Sequence, residues 1–93
     1  MELAAFKKSA AFIAQRNVSE RVDRVFASFD PSKGSLRLVY CTRSEPATDD
    51  WEDCELTCAE LIAEFPEIIH AETECVSTDK CTAENGLVVF AKQ

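Results

Sequence analysis

From Ser44 to Asp79 the chain carries twelve carboxylates and not one Lys or Arg. They are Glu45, Asp49, Asp50, Glu52, Asp53, Glu55, Glu60, Glu64, Glu67, Glu72, Glu74 and Asp79. A fold for this stretch has to turn those groups to solvent and bury what lies between them, so its elements must be amphipathic. The rest of the chain leans the other way. Residues 1–43 hold eight basic groups against four acidic ones (+4), and residues 44–93 hold two against thirteen (−11), which gives the net −7. Like charges held this close cost folding stability. A positively charged partner would relieve that cost, so the pattern points to binding and not to chemistry.

Ninety-three residues set a single domain spanning 1–93. A chain of this size buries somewhat over ~60% of its unfolded surface, enough for one modest core. With 46% apolar residues, two Gly and three Pro, the composition is that of a folded domain. The acidic balance argues against direct nucleic-acid binding, because phosphate neutralisation needs Lys and Arg. It argues against anionic membrane surfaces for the same reason. Lys7 and Lys8 precede a short apolar run, Ser9–Ala14, that Arg16 ends, too short for a secretory core. Five cysteines, Cys41, Cys54, Cys58, Cys75 and Cys81, form an odd set without scaffold spacing. The expectation is a cytosolic protein with reduced thiols.

Leu3, Phe6, Ala10 and Ile13 share one side of an alanine-rich segment, which predicts a helix over 2–14. Asn17 with Glu20 reads as a capping box. Val22, Val25, Phe26 and Phe29 at i, i+3, i+4 and i+7 then predict a second helix. Asp30-Pro31-Ser32-Lys33-Gly34 is turn chemistry. Leu36, Leu38 and Tyr40 alternate with Arg37, Val39 and Cys41, a strand. Asp49 with Glu52 opens a helix whose stripe is Trp51, Cys54, Cys58, Leu61, Ile62 and Phe65, and Pro66 stops it. Ile69, Ala71, Thr73 and Cys75 form one face of the next strand, with His70, Glu72 and Glu74 on the other. Asn85-Gly86 signals a turn before a last strand, Leu87–Ala91. The expected fold is α+β, order ααβαββ, with a small three-stranded sheet packed against helices. The last two strands are expected to pair antiparallel, and the helical crossover allows the first to run parallel to the second.

Cys54 and Cys58 lie one helical turn apart, and Cys75, Cys81 and His70 could complete a tetrahedral zinc shell. Both helical cysteines fall inside the Trp51–Phe65 stripe, however, where Cys behaves as a small buried apolar residue. Their spacing matches no common zinc signature. Cys81, beside Lys80, is the best placed for thiol reactivity. His70 is the only histidine, nothing sets it beside a nucleophile, and Gly34 and Gly86 are too few for a phosphate loop. The reading is no enzyme, no metal and no cofactor.

A solvated surface normally mixes both signs of charge. Here Glu52, Asp53, Glu60 and Glu64 face outward from one helix, and Glu72 and Glu74 from a strand, with no basic neighbour in their own segments. If the helices cover one sheet face only, the other carries Val39, Val88 and Phe90, and Phe90 is the candidate anchor within that rim; the alternative is that the N-terminal helices bury that face. Arg16, Arg21, Arg24, Arg37 and Arg43 are the groups able to neutralise it from within.

In size, charge and α+β pattern the chain resembles bacterial immunity proteins of the contact-dependent growth inhibition and colicin systems. The Trp51–Phe65 helix, its acidic flank and the acidic strand Ile68–Val76 carry the resemblance, which is one of overall character. It implies a cytoplasmic inhibitor whose partner is a basic nuclease toxin domain, an RNase above all, held at its active-site groove. Two other classes fit the composition: a nucleic-acid mimic acting on a host protein, and a cysteine-based metal or redox module.

Overall fold

The computed structural model describes residues 2–81 and 86–92. Helix α1 runs Leu3–Arg16, strands β1 and β2 Val22–Asp30 and Ser35–Thr42, helix α2 Thr48–Glu64, and strands β3 and β4 His70–Ser77 and Leu87–Ala91. A single 3-10 turn, Thr78–Lys80, follows β3. The order is αββαββ, and the four strands form one sheet in the order β3-β2-β1-β4.

The second expected helix is strand β1. Its residues alternate as a strand should: Val25, Ala27 and Phe29 pack into the main core, while Phe26 points to the opposite face with Val39 and Cys41. The register against β2 shifts between Val22 and Arg24. This bulge turns Val22 and Val25, three residues apart, to the same side, and so imitates helical spacing. Asn17 is the C-cap of α1 instead of a helix start, its N–H bonded to the Ala14 carbonyl at 3.0 Å.

β1 and β2 form a hairpin. Asp30 Oδ1 accepts the Ser32 N–H at 3.0 Å, and Gly34 takes the left-handed φ of +62° that closes the turn. A Cβ on Gly34 would stand 2.6 Å from Ile69 Cγ1, so the turn also needs a bare backbone for β3 to approach.

The crossover through α2 sets β3 parallel to β2, from Ser35↔His70 to Thr42↔Ser77. The last two strands, expected to pair, instead occupy opposite edges. β4 is antiparallel to β1, with Arg24↔Ala91 and Ala27↔Leu87. Gly86 enters β4 at φ +120°, with Ala27 O 2.7 Å from where a Cβ would sit. The Asn85 half of the expected turn lies outside the described residues.

Both helices cover one face. Phe6 sits fully buried between Phe29 and Phe65, at ring-centroid distances of 6.2 and 5.7 Å. Leu36, Leu38, Tyr40, Cys54, Leu61 and Cys75 complete this core. Leu3, expected within the α1 stripe, is exposed, as are Trp51 and Ile62 of the α2 stripe. Thr57 and Asp50 are buried in α2 instead.

Tyr40 brings its hydroxyl to the bottom of this core, where it donates to Asn17 O at 2.9 Å and shares a 2.6 Å hydrogen bond with Thr57 Oγ1. Asn17 Nδ2 donates to the same Thr57 oxygen at 3.2 Å, closing a ring of three residues.

On the opposite face Cys41 and Cys81 form a disulfide, with Cα atoms 6.2 Å apart. This corrects the expectation of reduced thiols, and Cys81 is no free nucleophile. The odd count therefore carries no argument for a reducing compartment. Cys54, Cys58 and Cys75 are free and buried. Burial raises the Cys58 thiol, and the Cys75 contact followed by burial raises that of Cys54.

Two stability measurements check these contacts. Tyr40→Phe leaves Asn17 O and the Thr57 hydroxyl short of a partner and should cost about 1–3 kcal/mol by urea unfolding. Replacing Cys41 and Cys81 together by Ala opens a loop of 40 residues and should cost about 2–4 kcal/mol, with no further loss on adding reductant.

Candidate functional site

Asp49 stands in the first turn of α2 as expected, and the carboxylate that caps the helix is not that of Glu52 but that of Asp50. Its Oδ2 accepts the Ala47 N–H at 2.8 Å, and Arg21 approaches to 3.4 Å. Asp50 is 1% exposed, so this carboxylate is spent on the fold. The inward stripe, Asp50, Cys54, Thr57, Cys58 and Leu61, then sets which acidic groups face out.

Intrachain pairing divides the six candidate carboxylates. Glu60 pairs with Arg16 and accepts Asn17 Nδ2 at 3.0 Å. Glu64 accepts the Ser9 hydroxyl at 2.9 Å. Both turn toward α1, where they line a groove of about 660 Å³ together with Lys8, Phe12 and Arg16. Arg16 also lies 4.9 Å from the centroid of the Phe12 ring. That rim carries both signs of charge. Glu74 pairs with Arg37 at 2.8 Å across the helix-free face. Glu52, Asp53 and Glu72 form no ion pair among the described residues.

Asp53 shows the consequence. Its carboxyl is held above the usual carboxylate range, first by partial burial and then by the charges of Asp50, Asp49 and Glu52. The six groups do not form one patch. Glu52 and Asp53 stand on the first turns of α2, whereas Glu72 and Glu74 lie on the far side of the sheet, opposite Cys75 and Thr73. A surface that uses both sets must wrap the β3 edge.

Phe90 stands opposite Val25 in the ladder and packs, half-buried, against the helix-covered core. Of the apolar sheet face expected beside it, Val88 is exposed on the helix-free side opposite Phe26, but Val39 is not. Val39 is fully buried with Phe26 and Cys41, under Val76 and Cys81. Trp51 at 41% and Ile69 at 70%, expected on inward faces, are exposed, and so are Phe12 and Leu56, which the sequence reading passed over. Their signal was present in the sequence, since Leu56 interrupts the outward acidic side of α2.

The proposed metal shell does not assemble. Cys54 and Cys75 meet in the core, Cys81 is bonded to Cys41 on the other face, and His70 is exposed. Among the described residues no group of three or more His, Cys, Asp or Glu is placed to hold an ion. No helix among them is long and apolar enough to cross a membrane.

The pH dependence of Asp53 follows from its raised folded value. The native state binds that proton more tightly than the unfolded chain does, so its contribution falls as pH rises through the folded pKa. Asp53→Asn should therefore stabilise the protein at pH 7 by a few tenths of a kcal/mol. The gain should disappear below the carboxylate's unfolded pKa, as followed by thermal melts across pH 3–7.

The model of the MafI2 immunity protein family matches residues 9–92 of the chain. A search of curated proteins finds no match.

Proposed function

Because the chain belongs to the MafI2 immunity protein family, we propose that it neutralises a cationic nuclease toxin domain, an RNase above all, by occupying the groove that binds its substrate's phosphates. An immunity protein acts by binding a toxin, which requires a surface and no turnover. The observation that supports the reading is the set of carboxylates without a basic partner among the described residues, Glu52 and Asp53 on α2 and Glu72 on β3, in a segment that holds no Lys or Arg before Lys80. Self-repulsion among Asp49, Asp50, Glu52 and Asp53 is stored in the free protein and relieved when a basic surface approaches.

The paired residues have a different part. Glu60, Glu64 and Glu74 are already held by Arg16, Ser9 and Arg37, so they add to the long-range field more than to direct contact. Trp51 and Leu56, exposed among the acidic groups of α2, supply the apolar anchors. Phe90 sits half-buried on β4 and contributes through the part of its ring that remains accessible.

Charge of this kind speeds encounter more than it deepens affinity. Speed serves a protein that must reach a lethal enzyme before its substrate does. The test pairs this chain with the toxin domain encoded beside its reading frame. Changing Glu52 and Glu72 together to Lys should slow association about tenfold at low salt, with less effect at high salt. Cells exposed to the toxin should lose protection in step. An association rate that ignores both reversals and salt would move the interface off this surface.

A further inference from the structure

We infer that the free edge of β3, at Ala71–Thr73, is a docking strand onto which the toxin adds an extended basic segment as a fifth strand of the sheet. The inference rests on the immunity reading and specifies how the contact is made.

β3 ends the sheet order, so among the described residues only β2 pairs with it. The backbone direction follows from two bonds. The His70 N–H donates to Gly34 O at 3.1 Å, and the Val76 carbonyl accepts Thr42 Oγ1 at 3.3 Å. Residues of even number therefore direct their backbone groups at β2, and Ala71 and Thr73 direct theirs outward. Ala71 is exposed and Thr73 half-buried, whereas Cys75 is buried where its thiol meets Asp50 O at 3.6 Å. The open stretch is thus short and placed at the first half of the strand.

Its surroundings choose the occupant. Thr73 donates its hydroxyl to Glu55, which fixes one flank of α2 above the edge. At about 100° per residue, Trp51 and Ile62 lie within about 40° of Glu55 on that flank. Both are exposed, as is Ile69 at the start of the strand. Glu72 faces the other side of the sheet. An incoming strand therefore meets an apolar and acidic wall on one side and an acidic one on the other. A second copy of β3 would set carboxylate against carboxylate across the new pair, which is destabilising. A segment that alternates basic and apolar side chains satisfies both walls, and its main chain pairs with Ala71 and Thr73. Charge on an edge strand also serves simply to prevent aggregation, most often through Lys. That role does not call for Trp51 and Ile62 to remain exposed beside the same edge.

The experiment uses the full chain and a catalytically inactivated form of the toxin domain encoded beside it. Amide hydrogen exchange at Ala71 and Thr73 should slow about tenfold or more in the complex. Ala71→Pro removes an outward N–H, which an edge strand tolerates, and should keep the melting temperature while weakening binding about tenfold. Ala71→Ser should bind like the unchanged chain. If Ala71→Pro does not fold, exchange on the unchanged chain decides. Tight binding with unaltered exchange at both amides overturns the docking strand and leaves the immunity reading standing. No binding of that domain overturns both. Protection that grows with protein concentration in the absence of toxin makes the occupant a second copy and likewise overturns the inference.

Discussion

The hydroxyl of Tyr40 sits where β2, the end of α1 and the middle of α2 converge, and the facing of the α2 carboxylates depends on it. A tyrosine this deeply buried must spend its O–H on a partner. Asn17 O takes that role, the Thr57 hydroxyl shares a further hydrogen bond with the phenol oxygen, and the Asn17 side chain closes the ring. Burial raises the phenol well above its ordinary value, so it stays neutral and keeps donating. Thr57 fixes the rotation of α2 about its own axis. With that rotation set, Cys54, Cys58 and Leu61 fall inward, Glu60 meets Arg16, and Glu52 with Leu56 is left outside.

The second organising contact is on the opposite face. β3 and β4 lie at the two edges of the sheet, and the described residues that follow β3 turn back over β2. Cys81 is bonded to Cys41 in β2, and Thr78 donates its hydroxyl toward Asp23 and Thr42 O, both at 2.7 Å. Phe26 and Val39 are buried beneath. The middle of the helix-free face is closed in this way, while Val88 and Glu72 remain exposed on it.

The charge balance then acquires a structural meaning. Arg16, Arg21 and Arg37 from the basic half reach across to Glu60, Asp50 and Glu74 of the acidic half, so part of the asymmetry holds the fold together. What is left unneutralised is concentrated at the start of α2 and along β3. Asp53 is the group that registers it, raised by burial and by its acidic neighbours. A protein selected for stability alone would place a Lys there; one selected to capture a basic surface gains from leaving it acidic.

Local pattern determined a great deal of this protein. The apolar spacing in Phe6–Ile13 and Cys54–Leu61, the alternation in Leu36–Tyr40, the turn at Asp30–Gly34 and the stop at Pro66 each depend on neighbours a few residues away, and each is legible in the chain. The acidic excess and the kinship in character with immunity proteins are legible too. Only the tertiary structure decided that Val22–Asp30 is a strand, because a bulge defined by its pairing with β2 counterfeits the helical period. It alone sent β4 to the far edge, joined Cys41 to Cys81 and divided the carboxylates into paired and free. The physical reason is common to all four. Strand partners, disulfides and ion pairs join residues distant in sequence, and no periodicity within a segment encodes what will pack beside it.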